Sequence, residues 1–197
     1  MTFEAFTALI ASQPDGVVLL EGRRSISPAQ ADLARRLGET LALSFPTLRF
    51  RSGNAPGSDE AFASGIAAVD PSRLQVFAPY SSHRTRFRYP EATYDSPASL
   101  DPLADESVAY KTIAASPKNH RLIEKRHEPG PLAAKAKYLI RDTMKVLGHC
   151  PDVPKPLAAL FLIDPADPMA GGTGHTIRVC QLEAVPTIFQ THWQPWL

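Results

Sequence analysis

The sequence predicts a single α/β domain: a mostly parallel sheet with helices on both faces. Three observations predict it. Short, wholly apolar runs such as Val17–Leu20 and Leu157–Ile163 have the character of strands buried on both faces, as in parallel sheets. Segments with helical spacing alternate with these runs along the chain, the order from which parallel sheets are built. Two glycine-rich turns, Ser52-Gly53-Asn54-Ala55-Pro56-Gly57-Ser58-Asp59 and Gly171-Gly172-Thr173-Gly174-His175-Thr176, each follow a strand and precede a helix.

Thr2–Ala11 reads as an opening helix, with Phe3, Phe6, Leu9 and Ile10 at helical spacing and Asp15-Gly16 after it. Val17–Leu20 is the first strand, running up to Gly22. Ser27-Pro28 opens the next helix, because serine caps a helix well and proline suits its first turn. Ala31, Leu33, Ala34, Leu37, Leu41 and Leu43 supply its apolar face. Leu48–Arg51 is a second strand that leads into the first glycine turn, and the helix Asp59–Val69 follows. Leu74–Ala78 is a third strand, closed by Pro79. Tyr80 to about Leu103 has no clear period, Leu103–Ala115 reads as helical, and Ser116–Leu132 is polar and broken by Pro117, Pro129 and Pro131. Residues 80–131 are therefore expected as a loop-rich insertion within one domain spanning 1–197. Leu132–Leu147 is a helix ended by Gly148. The strand Leu157–Ile163, the second glycine turn, a helix Thr176–Glu183 and a strand Pro186–Gln190 complete a Rossmann-like arrangement.

Composition narrows the function. With 197 residues, 44% apolar and 21% charged, the chain is an ordinary globular protein. A net charge of +1 gives no general attraction to nucleic acid or to an acidic membrane, so anion binding has to come from local groups. Two cysteines, Cys150 and Cys180, make no disulfide framework and no Cys-x-x-Cys pair, and a cytoplasmic location is expected. No leader and no apolar stretch of membrane-spanning length is visible. No spacing of His, Cys, Asp and Glu points to a metal, no cofactor is expected, and no nucleophile motif is present.

The glycine turns carry the functional signal. The first turn of a helix leaves backbone N–H groups free, its dipole favours an anion, and glycine lets a phosphate approach closely. In open α/β sheets ligands collect at the carboxyl ends of the strands. Neither turn is a Walker loop, and neither is Gly-x-Gly-x-x-Gly.

At these residues the chain resembles the SLOG superfamily, the Rossmann-like group that holds the LONELY GUY phosphoribohydrolases, the lysine-decarboxylase-like proteins and the DNA-processing Smf-type proteins. The first turn is similar to the family's Ser-Gly-Gly-Ala-x-Gly-x-Asp turn and the second to its Gly-Gly-x-Gly-Thr turn. Val17–Ser25 resembles the first strand and its exit, and Arg141-Asp142 lies where many members carry an arginine. The resemblance implies a nucleotide-type ligand held across both turns. It fixes no activity, since the superfamily contains enzymes, sensors and DNA-binding proteins. Arg178 stands where the phosphoribohydrolase motif has its glutamate, which counts against N-glycosidic cleavage.

The expected ligand-binding residues are Gly22 and Arg23 after the first strand, Ser52, Gly53, Gly57, Ser58 and Asp59 in the first turn, and Gly171, Gly172, Thr173, Gly174, His175 and Thr176 in the second. Arg86, from the basic run His83–Arg88, and Arg141 are expected to neutralise phosphate charge. Asp59 and His175 are the catalytic candidates, with Glu21 the other nearby acid; helix capping and space filling are the plainer roles for the first two. Trp193 and Trp196 dock either on the body or on a second subunit of a homodimer. The first functional expectation is a module that senses or sequesters a nucleotide-derived small molecule. The alternatives are a nucleotide N-glycosidase and a DNA-binding protein of the DNA-processing type, the latter disfavoured by the near-neutral charge.

Overall fold

The computed structural model describes every residue from Met1 to Leu197. Its sheet contains β1 (Val17–Gly22), β2 (Arg49–Ser52), β3 (Leu74–Phe77), β4 (Thr93–Asp95), β5 (Ala158–Leu162) and β6 (Thr187–Phe189). The strands lie in the order β4-β3-β2-β1-β5-β6, and every neighbouring pair is parallel. The helices are α1 (Phe3–Ser12), α2 (Pro28–Ser44), α3 (Ser58–Ala67), α4 (Pro102–Ala115), α5 (His120–Glu124), α6 (Pro131–Leu147), α7 (Gly171–Leu182) and α8 (Gln190–Trp193). The chain is a Rossmann-like α/β domain.

Strand alternation decides which side chains meet which helices. Val18 and Leu20 of β1 enter a core with Phe6, Leu37, Phe62 and Ile66 from α1, α2 and α3. Leu19 points the other way, into a core with Val146 of α6 and Ile177 and Cys180 of α7. Glu21 is two residues beyond Leu19, so period two sends its carboxyl under α6 and α7 rather than into water. It is 4% exposed.

The topology also places the ligand crevice. From β1 the chain builds outward through β2, β3 and β4, then returns to lay β5 against the other side of β1. Strand order reverses there, and the carboxyl ends of β1 and β5 flank the gap in which open α/β sheets hold ligands.

Several expectations change in the structure. The helix after the second glycine turn begins at Gly171, not Thr176: the Gly174 N–H donates to the Ala170 carbonyl at 2.9 Å, so the glycines are themselves the first helical turn. The aperiodic stretch after Pro79 holds β4, which pairs with β3 at the sheet edge. A three-residue edge strand needs no apolar run, which is why its sequence carries no period. The polar stretch after Ser116 holds α5, whose Ile123 is buried against α4 and α6. Within the basic run, Thr85–Phe87 forms a tight 3-10 turn that carries Arg86. Trp193 is fully buried and donates its indole N–H to the Phe161 carbonyl at 3.1 Å, while Trp196 packs on Phe6. The aromatic tail therefore docks on its own body. No helix is long and apolar enough to cross a membrane.

Candidate functional site

A cavity of about 990 Å³ opens at the reversal point. The β1 exit, Ala55 and Asp59 of the first turn, Asp164 after β5, and Gly171, Gly172 and Thr173 of the second turn all line it. Tyr138, Arg141 and Asp142 of α6 close one side. The two glycine turns thus reach one space, though each does so differently.

The floor is a buried charge cluster. Lys145 Nζ lies 2.5 Å from Glu21 Oε2 and 3.1 Å from Asp142 Oδ1, and Arg141 Nε lies 2.9 Å from the same Asp142 oxygen. The last contact is an ion pair without the alignment of a hydrogen bond. Three carboxylates, Glu21, Asp59 and Asp142, face two cations, Arg141 and Lys145, all nearly excluded from water. Burial pushes the Glu21 carboxyl up to about 7, against the pull of Lys145. Burial likewise raises Asp59, while Lys145 and Arg141 oppose it. For Asp142 the balance is reversed: burial works against ionisation, but Arg141 and then Lys145 outweigh it and hold the group below the ordinary carboxylate value. Charges out of water persist only when paired in this way. Glu21 Oε1 is further held by the Thr176 hydroxyl, which donates to it at 3.0 Å. Behind the floor, the fully buried Arg51 donates to the Lys145 carbonyl at 2.7 Å and to Gln75 Oε1 at 2.9 Å, fixing α6 on the sheet.

In the first turn, the glycines serve this floor rather than the cavity. A Cβ on Gly53 would lie 2.5 Å from Arg141 Nη1 and 2.7 Å from Asp59 Oδ2. Gly57 has φ +84°, and a Cβ there would lie 2.2 Å from the Arg24 carbonyl. The Ser58 N–H and hydroxyl both donate to the Arg23 carbonyl, at 3.1 and 2.8 Å. Asp59 does not cap its own helix: its carboxylate accepts from the Gly22 and Ala55 N–H groups, each at 3.3 Å. That carboxylate joins the end of β1 to the turn.

The second turn is open. The N–H groups of Gly171, Gly172 and Thr173 have no acceptor within the chain, and Ala170 offers no side-chain cap. Gly171 and Gly172 are exposed to the cavity. Gly174 is the exception: a Cβ there would lie 1.9 Å from the Met169 carbonyl, so this glycine serves packing. Arg178, one turn along α7, lines the cavity and reaches the Met169 carbonyl and Ser116 Oγ.

His175 is buried, and both ring nitrogens are engaged. Nδ1 lies 3.0 Å from Ser116 Oγ and Nε2 lies 2.9 Å from Thr143 Oγ1, which lies 2.7 Å from Thr112 Oγ1. Each hydroxyl has one proton. If Thr112 gives its own to the Val108 carbonyl at 2.7 Å, then Thr143 donates to Thr112, Nε2–H donates to Thr143, and Ser116 donates to Nδ1. Burial pushes the imidazole down to about 4, so it is neutral at physiological pH. A neutral histidine with both nitrogens occupied positions α7 and leaves no free nitrogen for proton transfer.

Basic groups crowd the rim. Arg24, Lys118 and Lys135 are exposed, line the cavity and pair with no carboxylate; Arg23 pairs with Asp164 at 3.2 Å across the ends of β1 and β5.

Of the expected ligand residues, the cavity is lined by Gly22, Arg23, Asp59, Arg141, Gly171, Gly172, Thr173 and His175. Ser52 and Arg86 fall instead on a separate, smaller cavity of about 210 Å³. Gly53, Gly57, Ser58, Gly174 and Thr176 lie behind the surface and hold it in shape. Sequence reasoning missed Asp142, Lys145 and Arg51 as site residues, although Arg141 beside Asp142 was singled out. The available signal was charge at buried register: Lys145 is three residues beyond Asp142 on a helix otherwise read as packing. Scans against protein-family models, curated proteins and solved structures returned no match in any of the three.

Proposed function

We propose that the chain binds a nucleotide or nucleotide-derived, phosphate-bearing small molecule in the cavity between β1 and β5, as a sensor or sequestering module. The observation that carries this reading is the split polarity of one space: three unpaired rim cations and three free helical N–H groups above a floor of carboxylates. An anionic group suits the first set, and hydroxyl or amine donors suit the second. A phosphorylated sugar with a base carries both. The motif resemblance to the SLOG superfamily supports the same reading. A thermal-shift panel of nucleoside monophosphates, cyclic dinucleotides and ADP-ribose derivatives tests it. A ligand at about 100 times its Kd adds about 2.7 kcal/mol of stability, and a panel with no shift contradicts the reading.

A second reading, a nucleotide N-glycosidase, is favoured by one feature. Glu21 lines the cavity with its carboxyl raised to about 7, the range a general acid needs. Incubation with nucleoside monophosphates and chromatography for the freed base tests it. Release of base that Glu21→Gln abolishes supports the enzyme, and no release in the wild type rejects it.

A further inference from the structure

Asp142 is the one floor carboxylate to which no group of the protein donates an aligned hydrogen bond. Glu21 accepts from Thr176 and Lys145, and Asp59 accepts from Gly22 and Ala55. Asp142 has charge partners on one side only, Arg141 and Lys145, both at Oδ1, and that oxygen has no hydrogen-bond partner. The residue is 2% exposed, and it lines the cavity. Oδ2 points at Gly172: a Cβ on that glycine would lie 2.9 Å from it and would touch nothing else but the carboxyl carbon. Gly172 has ordinary helical backbone, so no positive φ explains a glycine there. What its missing side chain does is leave Asp142 uncovered, beside three N–H groups that also lack acceptors.

Buried carboxylates are normally satisfied, because an unmade hydrogen bond to a charged group costs about 1–3 kcal/mol or more. An ionised, acceptor-only group paired with cations at one oxygen and given no donor at the other, Oδ2, is matched by a ligand that donates. The free amides alongside it are matched by one that accepts. Every ribonucleotide carries such donors in its sugar hydroxyls, whatever its base, and an acceptor in its phosphate.

We propose that Asp142 is a specificity-determining residue that accepts a hydrogen bond from the 2′-hydroxyl of the ligand's ribose, and that Gly172 is the residue that keeps it accessible. The site then takes ribonucleotides in preference to their deoxy counterparts. This rests on the nucleotide reading above and adds the class of sugar. A charge-assisted hydrogen bond makes the preference about tenfold or more.

The test is titration calorimetry of the full chain with the adenosine, guanosine, cytidine and uridine monophosphates, their deoxy counterparts and inorganic phosphate. It is run on the wild type, Gly172→Ala and Asp142→Asn. Gly172→Ala keeps every charge and every N–H and only covers Asp142, so it separates a ligand role from a folding role. The expected result is a ribose preference of about tenfold or more in the wild type, falling to near unity in both variants. Equal binding of ribo and deoxy forms by the wild type overturns this inference and leaves the nucleotide reading standing. A ribose preference that survives in both variants also overturns it. If no nucleotide and no phosphate binds at all, the nucleotide reading falls, and this inference with it.

Discussion

The two glycine-rich turns look alike in sequence, and both border one cavity, but they are built for opposite purposes. The first spends its features inward. Gly53 makes room for Arg141 and Asp59, Gly57 lets the chain pass against the Arg24 carbonyl, Ser58 holds Arg23, and Asp59 takes up the N–H groups of Gly22 and Ala55. The second leaves the N–H groups of Gly171, Gly172 and Thr173 without partners at the cavity wall. A glycine turn before a helix therefore does not by itself announce an anion site. What decides is where the turn faces: the first packs against the protein's own carbonyls, cations and the Asp59 carboxylate, and the second lies open on the cavity.

Substitutions can break this contrast or sharpen it. The largest effect is expected at the floor. Lys145→Met strands Glu21 as a buried carboxylate and leaves Asp142 with Arg141 alone, and chemical denaturation should show a loss of about 3–5 kcal/mol. Gly57→Ala should cost about 3 kcal/mol, because the new Cβ meets backbone at 2.2 Å and φ is +84°. A Gly57→Ala protein with unchanged melting temperature would show that the first turn is not the packing joint described above.

Glu21 touches both regions, through Lys145 below and Thr176 of the second turn. Its folded pKa of about 7 is above the ordinary 4.5, so the folded state holds this proton more tightly than the unfolded chain does. Its contribution to stability is therefore greatest at low pH and is lost as pH rises through about 7. Relative to Glu21→Gln, the wild type should lose about 2 kcal/mol between pH 5.5 and pH 8. Neutral His175 acts in the opposite direction below about pH 6.5, but it is common to both proteins and cancels in the difference. The smallest effect is expected at the open turn. Gly171 has φ +57° with nothing within 4 Å of its missing Cβ, so Gly171→Ala should cost only about 1 kcal/mol, a shift of about 2–4 °C in melting temperature. A loss as large as that for Gly57→Ala would erase the distinction between the turns.

Much of the fold could be read from the sequence because buried parallel strands and capped helices leave local signals. The Val17–Leu20 run is β1, and Ser27 with Gln30 forms the full capping box that starts α2. Where the signal failed, burial was slight or charge was involved. β4 is a short edge strand of exposed and half-buried residues, and α5 buries only Ile123. The place where the turns converge followed from strand order at the β1 and β5 ends. The floor did not, because Glu21, Asp142, Lys145 and Arg51 come from three separate elements, and their mutual neutralisation exists only after the sheet and α6 are packed.

The most direct test of the central claim is residue-resolved. Amide proton–nitrogen correlation spectra, recorded while a ribonucleoside monophosphate is added, report separately on the two turns. The account predicts large shifts at the Gly171, Gly172 and Thr173 amides and little movement at Gly57 and Ser58, whose surroundings are internal. Shifts concentrated at Gly53, Gly57 and Ser58, with the second turn unmoved, would contradict it.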